Sequence, residues 1–198
     1  MNHLSEEVDF RRWARRLRDV YVIHFRAPGF GRGPTPLWSL ELHPLDGSRA
    51  GEHFAGYSDA SRAQQPGGDV YEVLLETKGA WREKPTHAVY AAWHLTNTEY
   101  AKAFVERARN LFGIRARVLS SFACDWLLKR PDREGEYLVL GVYGTEEGAT
   151  RDCREHPEIA EFLKRDPADA YTANSPEGMR CFRIVEQRGG EGRDGNTT

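Results

Sequence analysis

One stretch, HAVYAAWHLTNTEYAKAFVERARNLFGI from His87, limits the folds open to this chain more than any other. A β-like run from His87 to Leu95 passes into a helical pattern with no loop between them. Thr96 to Glu99 reads T-x-x-E, the capping-box signature that satisfies the free N–H groups of a first helical turn. Tyr100, Phe104, Ala108, Leu111 and Phe112 then fall on one stripe at helical spacing. Gly113 stands where a glycine ends a helix. A strand that feeds directly into a helix opens an α+β unit.

The rest of the second half completes that unit. Residues 117–129, RVLSSFACDWLLK, read as a long strand. RPDREG is a turn, and EYLVLGVYG a further strand. Thr145 opens a short helix over 146–154, and His156-Pro157 restarts it, proline being tolerated at a first helical position. Residues 179–187, MRCFRIVEQ, form the last strand. The order β-α-β-β-α-β predicts a ferredoxin-like α+β fold, one four-stranded antiparallel sheet with both helices on one face. The other face is apolar and needs a cover, either a second copy in a homodimer or the strands that precede residue 85.

Those preceding residues are less regular. Phe10, Trp13, Ala14 and Leu17 make one face of a helix over 5–19, and five arginines cover its other faces. The basic face reads first as a solvated surface. Residues 20–27 and 37–43 read as strands, as do 70–81. Between the first two lies PGFGRGPTP, a glycine- and proline-rich loop without the spacing of a phosphate-binding loop. Residues 44–69 are small and polar, an unusual length for an unstructured loop, and predict a flap or a short helix. The expected layout is an N-terminal helix with a β-rich extension over 1–85, the ferredoxin-like domain over 86–187, and a disordered tail over 188–198. With three strands and one helix the first part is readable as a degenerate second copy of the unit, short of a full one.

Composition narrows the function classes. A formal net charge of −2 on 198 residues argues against a general polyanion binder. Cys124, Cys153 and Cys181 are widely spaced, odd in number and without a C-x-x-C pair, so free thiols in a reducing cytoplasm are expected rather than a zinc site or disulfides. No run approaches the ~18 apolar residues of a membrane span, and the acidic N-terminus is no secretory leader.

Residues 87–187 resemble the antibiotic biosynthesis monooxygenase family of the dimeric α+β barrel superfamily. YAKAFVERARNLFGI after a first strand, a long strand-turn-strand, and YLVLGVYGTEEGATRDCREHPEIAEFL carry the resemblance by order and spacing. Tyr143 stands where the family usually has tryptophan, Thr145 for its serine, and His156-Pro157 for its Ser-Pro. The histidine that many members place in the second helix falls here at Asp152 or Cys153, which separates this chain from the haem-degrading branch. The resemblance implies a cofactor-independent monooxygenase acting on a small phenolic or polycyclic aromatic substrate, held between sheet and helices. Such a site needs a group that assists phenol deprotonation, donors for the developing oxyanion and a dry aromatic pocket.

The candidates for those roles cluster at the first β-α junction. His94 is the expected base or hydrogen-bond partner, set against an edge histidine bonded to backbone. Asn97 is the expected oxyanion donor, set against a share in helix capping. Tyr90, on the same strand face as His94, and Trp93, Trp126 and Tyr143 are the expected walls, set against plain core. Two other classes stay open. The fold also carries catalytically silent binding, cyclase-like or assembly subunits. RNA-recognition domains share the element order, but EYLVLGVY has aliphatic residues where stacking rings would stand, so nucleic acid is not an expected partner.

Overall fold

The computed structural model describes residues 21–25, 36–47, 51–59, 63, 67–173 and 179–189. The helix expected over 5–19, residues 28–35 of the glycine-rich loop and the tail from 190 lie outside the described residues. The strands are β1 (Tyr21–Phe25), β2 (Trp38–Pro44), β3 (Glu52–Tyr57), β4 (Asp69–Lys78), β5 (His87–Leu95), β6 (Phe122–Lys129), β7 (Glu136–Tyr143), β8 (Thr172–Ala173) and β9 (Met179–Gly189). Helix α1 spans Ala101–Val118 and α2 Pro157–Arg165.

The strands run antiparallel in the order β7-β6-β4-β1-β3-β2-β9-β5, and β5 also pairs with β7. Eight strands therefore close a barrel, and β8 adds a short edge to the end of β5. Within the second half the order β9-β5-β7-β6 is that of a ferredoxin-like sheet. Pairing of β2 with β9 and of β4 with β6 joins it to the first half. The apolar sheet face left open in the sequence is thus covered by β1–β4 of the same chain.

Residues 44–69, expected as a flap or a short helix, contain β3, and Ala63 beyond it is helical. The β3 sequence EHFAGY sets two polar residues side by side and two small ones between Phe54 and Tyr57, so no alternating pattern marks it, yet all six residues are buried. Closure explains this, because β3 pairs on both sides, with β1 and β2. Gly56 on β3 is there for a close approach. A Cβ at this position would lie 2.1 Å from the Trp38 indole nitrogen opposite it.

Two apolar layers result. One fills the barrel lumen with Trp38, Leu40, Phe54, Tyr90, Trp126, Leu140 and Phe182 among others. Trp38 from the first half stacks on Trp126 from the second at 5.6 Å between ring centres. The other layer lies between the second-half sheet and the helices, around Phe104, Phe112, Phe122, Tyr143, Ile159 and Phe162. Strands β5–β7 thus bury both faces, which explains the unbroken apolar runs in β6 and β7.

Helix α1 buries Phe104, Ala108, Leu111 and Phe112, as its stripe predicts, while Tyr100 is exposed. Both ends differ from expectation. Asn97, not Thr96, caps the first turn, its side-chain oxygen accepting from the Glu99 N–H at 2.9 Å. Thr96 Oγ1 donates instead to the Tyr171 carbonyl, tying β8 to the strand end. The helix runs past Gly113 to Val118, and Arg107 and Arg115 join its buried face. The strand expected from 117 accordingly starts at Phe122. Pro157 opens α2 as expected, and a π-helical turn, Gly148–Asp152, precedes it.

Candidate functional site

The side chains expected at one pocket divide between the two layers. Tyr90 and Trp126 point into the lumen. Trp93 and Tyr143 lie on the helix side of the same sheet. His94 is exposed at the end of β5, opposite Glu136 and Ala173. Asn97 is exposed and committed to the helix cap, its amide also donating to Glu99 at 3.2 Å. The sheet therefore separates Tyr90 and Trp126 from Trp93 and Tyr143.

Between sheet and helices, the layer that the sequence resemblance implies for a substrate, the polar chemistry comes from Asp125 and Arg115. Strand β6 alternates, so Cys124, Trp126 and Leu128 face the lumen while Asp125 and Leu127 face α1. Asp125 is completely buried. One carboxylate oxygen accepts from Arg115 Nη1 at 3.0 Å. The other, Oδ1, has no hydrogen-bond partner among the described residues. Gly141 on β7 gives Oδ1 its place, because a Cβ there would stand 2.4 Å from it and 3.0 Å from the Tyr143 ring.

Arg115 is held from the opposite side by the Cys153 carbonyl, to which Nε and Nη2 donate at 3.2 and 3.1 Å. The guanidinium is thus aimed by α1 and the start of the second helical segment together. Tyr143 closes this corner, its ring set edge-on against Phe122 at 5.6 Å. Burial raises the Asp125 pKa above the usual carboxylate range, and Arg115 pulls it back without cancelling the shift. Burial also pushes the Tyr143 phenol far up, so that hydroxyl stays protonated. Taken together, a desolvated carboxylate with one uncommitted oxygen sits beside a fixed cation, among aromatic rings. Such a carboxylate can accept a proton from a weak acid.

Sequence reasoning missed Asp125 and Arg115. The signal was an acid inside FACDWLLK, an otherwise apolar strand, and an arginine on the apolar stripe of α1, four residues beyond Leu111. It also missed a second cluster in the lumen, where His24, Glu52 and Arg180 surround Tyr90. No motif links those four, because barrel closure is what assembles them. Of Asp152 and Cys153, the positions where the family pattern would put a histidine, Cys153 is buried, with its thiol donating to the Ala149 carbonyl at 3.0 Å. All three cysteines are free. Among the described residues, no three His, Cys, Asp or Glu side chains are grouped to hold a metal ion, and no helix is long and apolar enough to cross a membrane.

No family model matches the chain, and no curated protein matches it in sequence. Solved structures do match in shape. A protein described as a major regulator of staphylococcal pathogenesis superposes with a TM-score of 0.60 at 11% identity, over 84% of this chain and 99% of that one. An anthrone oxidase-like protein gives 0.59 at 11% identity, over 85% and 92%. A ferredoxin-fold protein related to antibiotic biosynthesis monooxygenases, from Listeria monocytogenes, gives 0.58 at 14% identity, over 84% and 95%. These spans exceed what residues 87–187 supply, so the shared architecture includes the first half as well. At these identities the likeness is one of fold, and the chain shares the ferredoxin fold that the Listeria protein is described as having.

Proposed function

We propose that this protein is a cofactor-independent, monooxygenase-like protein that binds a phenolic or polycyclic small molecule beneath α1, with Asp125 as its proton acceptor. The observation that carries this is the uncommitted oxygen of a fully buried carboxylate, Asp125 Oδ1, on the helix side of the sheet. The base in this reading is Asp125 rather than His94, because His94 is exposed at the strand end and Asn97 is spent on the cap.

In this reading the substrate hydroxyl, or the acidic C–H of an anthrone, gives its proton to Asp125. Arg115 remains charged and stabilises the anion that results. The electron-rich anion reduces molecular oxygen. For an anthrone the balance is one CH2 group plus O2 giving one carbonyl plus water. The protein's part is to exclude water, orient the ring and hold the proton. Support comes from the fold shared with an anthrone oxidase-like protein and from an aromatic layer in which Asp125 is paired with Arg115.

The test is oxygen uptake by the purified chain with a panel of anthrones and naphthols. Turnover by the wild type and a loss of about 10²–10³-fold in Asp125→Asn is the expected result. Turnover that Asp125→Asn leaves intact, or that His94→Ala abolishes, overturns the assignment of the base. Saturable binding without oxygen uptake favours the silent binding subunit on the same fold.

A further inference from the structure

The lumen cluster is a second polar centre, and it lies on the opposite face of the sheet from Asp125. Glu52 is its hub. One carboxylate oxygen meets His24 Nε2 at 2.5 Å. The other accepts from the Tyr90 hydroxyl at 3.0 Å and from Arg180 Nη1. The same Arg180 nitrogen donates to the Tyr90 oxygen at 3.1 Å. His24 and Glu52 come from the first half of the chain, Tyr90 and Arg180 from the second.

The arrangement around His24 has the logic of an oriented base. A carboxylate against Nε2 favours the tautomer that carries its proton on that nitrogen, in which Nδ1 is an acceptor. His24 is 2% exposed, and its Nδ1 has no hydrogen-bond partner among the described residues. Phe54 stacks on the imidazole at 4.4 Å, and Tyr90 stands edge-on at 5.5 Å. Phe182 extends the aromatic wall, stacked on Tyr90 at 5.3 Å, with the Arg180 guanidinium over it at 5.1 Å. An acceptor buried without a donor is costly, and the cost is removed by a ligand that brings one.

The charges say what kind of ligand fits. Glu52 and Arg180 cancel. Across the β1–β4 pairing His24 stands opposite Asp69, which Arg130 holds at 2.9 Å. When His24 takes up a proton, the cluster gains one positive charge, which one ligand anion neutralises. Arg180 is the member that reaches solvent, its side chain 26% exposed.

We propose that the lumen cluster is a second ligand site, one that binds a planar aromatic weak acid and takes its proton on His24 Nδ1. The ligand's O–H bond breaks, the N–H bond forms at Nδ1, and the electron pair stays on the ligand oxygen. Glu52 stabilises the imidazolium, and Arg180 faces the anion. The proposal does not rest on the oxygenase reading, since Asp125 lies across the sheet.

The probe is 4-nitrophenol, whose colour reports the phenolate, titrated into the full-length chain. Wild type is expected to bind it saturably and to ionise it at a lower pH than in buffer. His24→Phe is expected to lose at least about tenfold in affinity together with the pH shift. Asn97→Ala, at the exposed helix cap and in neither layer, is expected to retain both. Unaltered binding and colour in His24→Phe overturns the proposal, as does a wild type that neither binds nor ionises the probe. Loss of both effects in Asp125→Asn, with His24→Phe unaffected, transfers the site to the helix layer. Should His24→Phe fail to fold, nitrogen NMR of ring-labelled histidine in the wild type decides. His24 Nδ1 must be unprotonated in the free protein and gain a proton when 4-nitrophenol is added. A signal that the probe does not move overturns the proposal.

Discussion

At the scale of single residues, the consequences of closing two layers fall on a few buried charges. Breaking a buried pair from one side leaves the other charge stranded, at a cost of about 3–5 kcal/mol. Arg115→Met is expected to fall in that range, since it strands Asp125 and frees the Cys153 carbonyl as well. The pH dependence has a definite sign. Burial already raises the Asp125 pKa in the native protein, and removing Arg115 raises it further. The folded state then holds a proton that the unfolded state has released, so stability falls as pH rises through the window above the ordinary carboxylate pKa. Denaturant titrations should show the deficit of Arg115→Met against wild type shrinking as pH is lowered toward about 4. A deficit that ignores pH would mean that Asp125 does not carry the effect. Asp125 was hard to see in sequence for one reason. Alternation betrays a polar residue only on a strand with one wet face, and β6 has none.

At the scale of elements, what could be read in advance was the apolar spacing, and what could not was the ends. The stripe of α1 and the strands of the second half follow from periodicity. The cap does not, because Thr96, Asn97 and Thr98 are all competent N-cap residues and the choice depends on where the chain leaves the sheet. Thr96 is drawn to the Tyr171 carbonyl, which leaves the cap to Asn97. Asn97→Ala is therefore expected to cost about 1 kcal/mol, and Phe112→Ala, fully buried under the same helix, about 3–5 kcal/mol. Equilibrium unfolding of the two variants checks both. A larger loss from Thr96→Ala than from Asn97→Ala would reverse the capping assignment. Strand β3 was illegible for a different reason. Its glycine, alanine, histidine and glutamate carry little strand propensity, and only pairing with β1 and β2 makes them a strand.

At the scale of the whole molecule, the first half explains itself through the second. Strand order β4-β1-β3-β2 repeats the order β9-β5-β7-β6 position for position, fourth, first, third and second in each half. We read the first half as a degenerate second copy, in which β3 supplies the fourth strand that the sequence did not reveal. The two seams, β2 with β9 and β4 with β6, then do within one chain what a second subunit would do for a lone ferredoxin-like unit. The lumen face of the second half, with Tyr90, Trp126, Leu128, Leu138, Leu140, Val142 and Phe182, is too apolar to stand open in water. Residues 86–189 expressed alone should therefore dimerise through that face or aggregate, and the full chain should not use it for association. Sedimentation of both checks this. A fragment that remains a folded monomer would show that the first half is not needed to cover the sheet, and the lumen cluster, which needs His24 and Glu52, would lose its structural reason to exist.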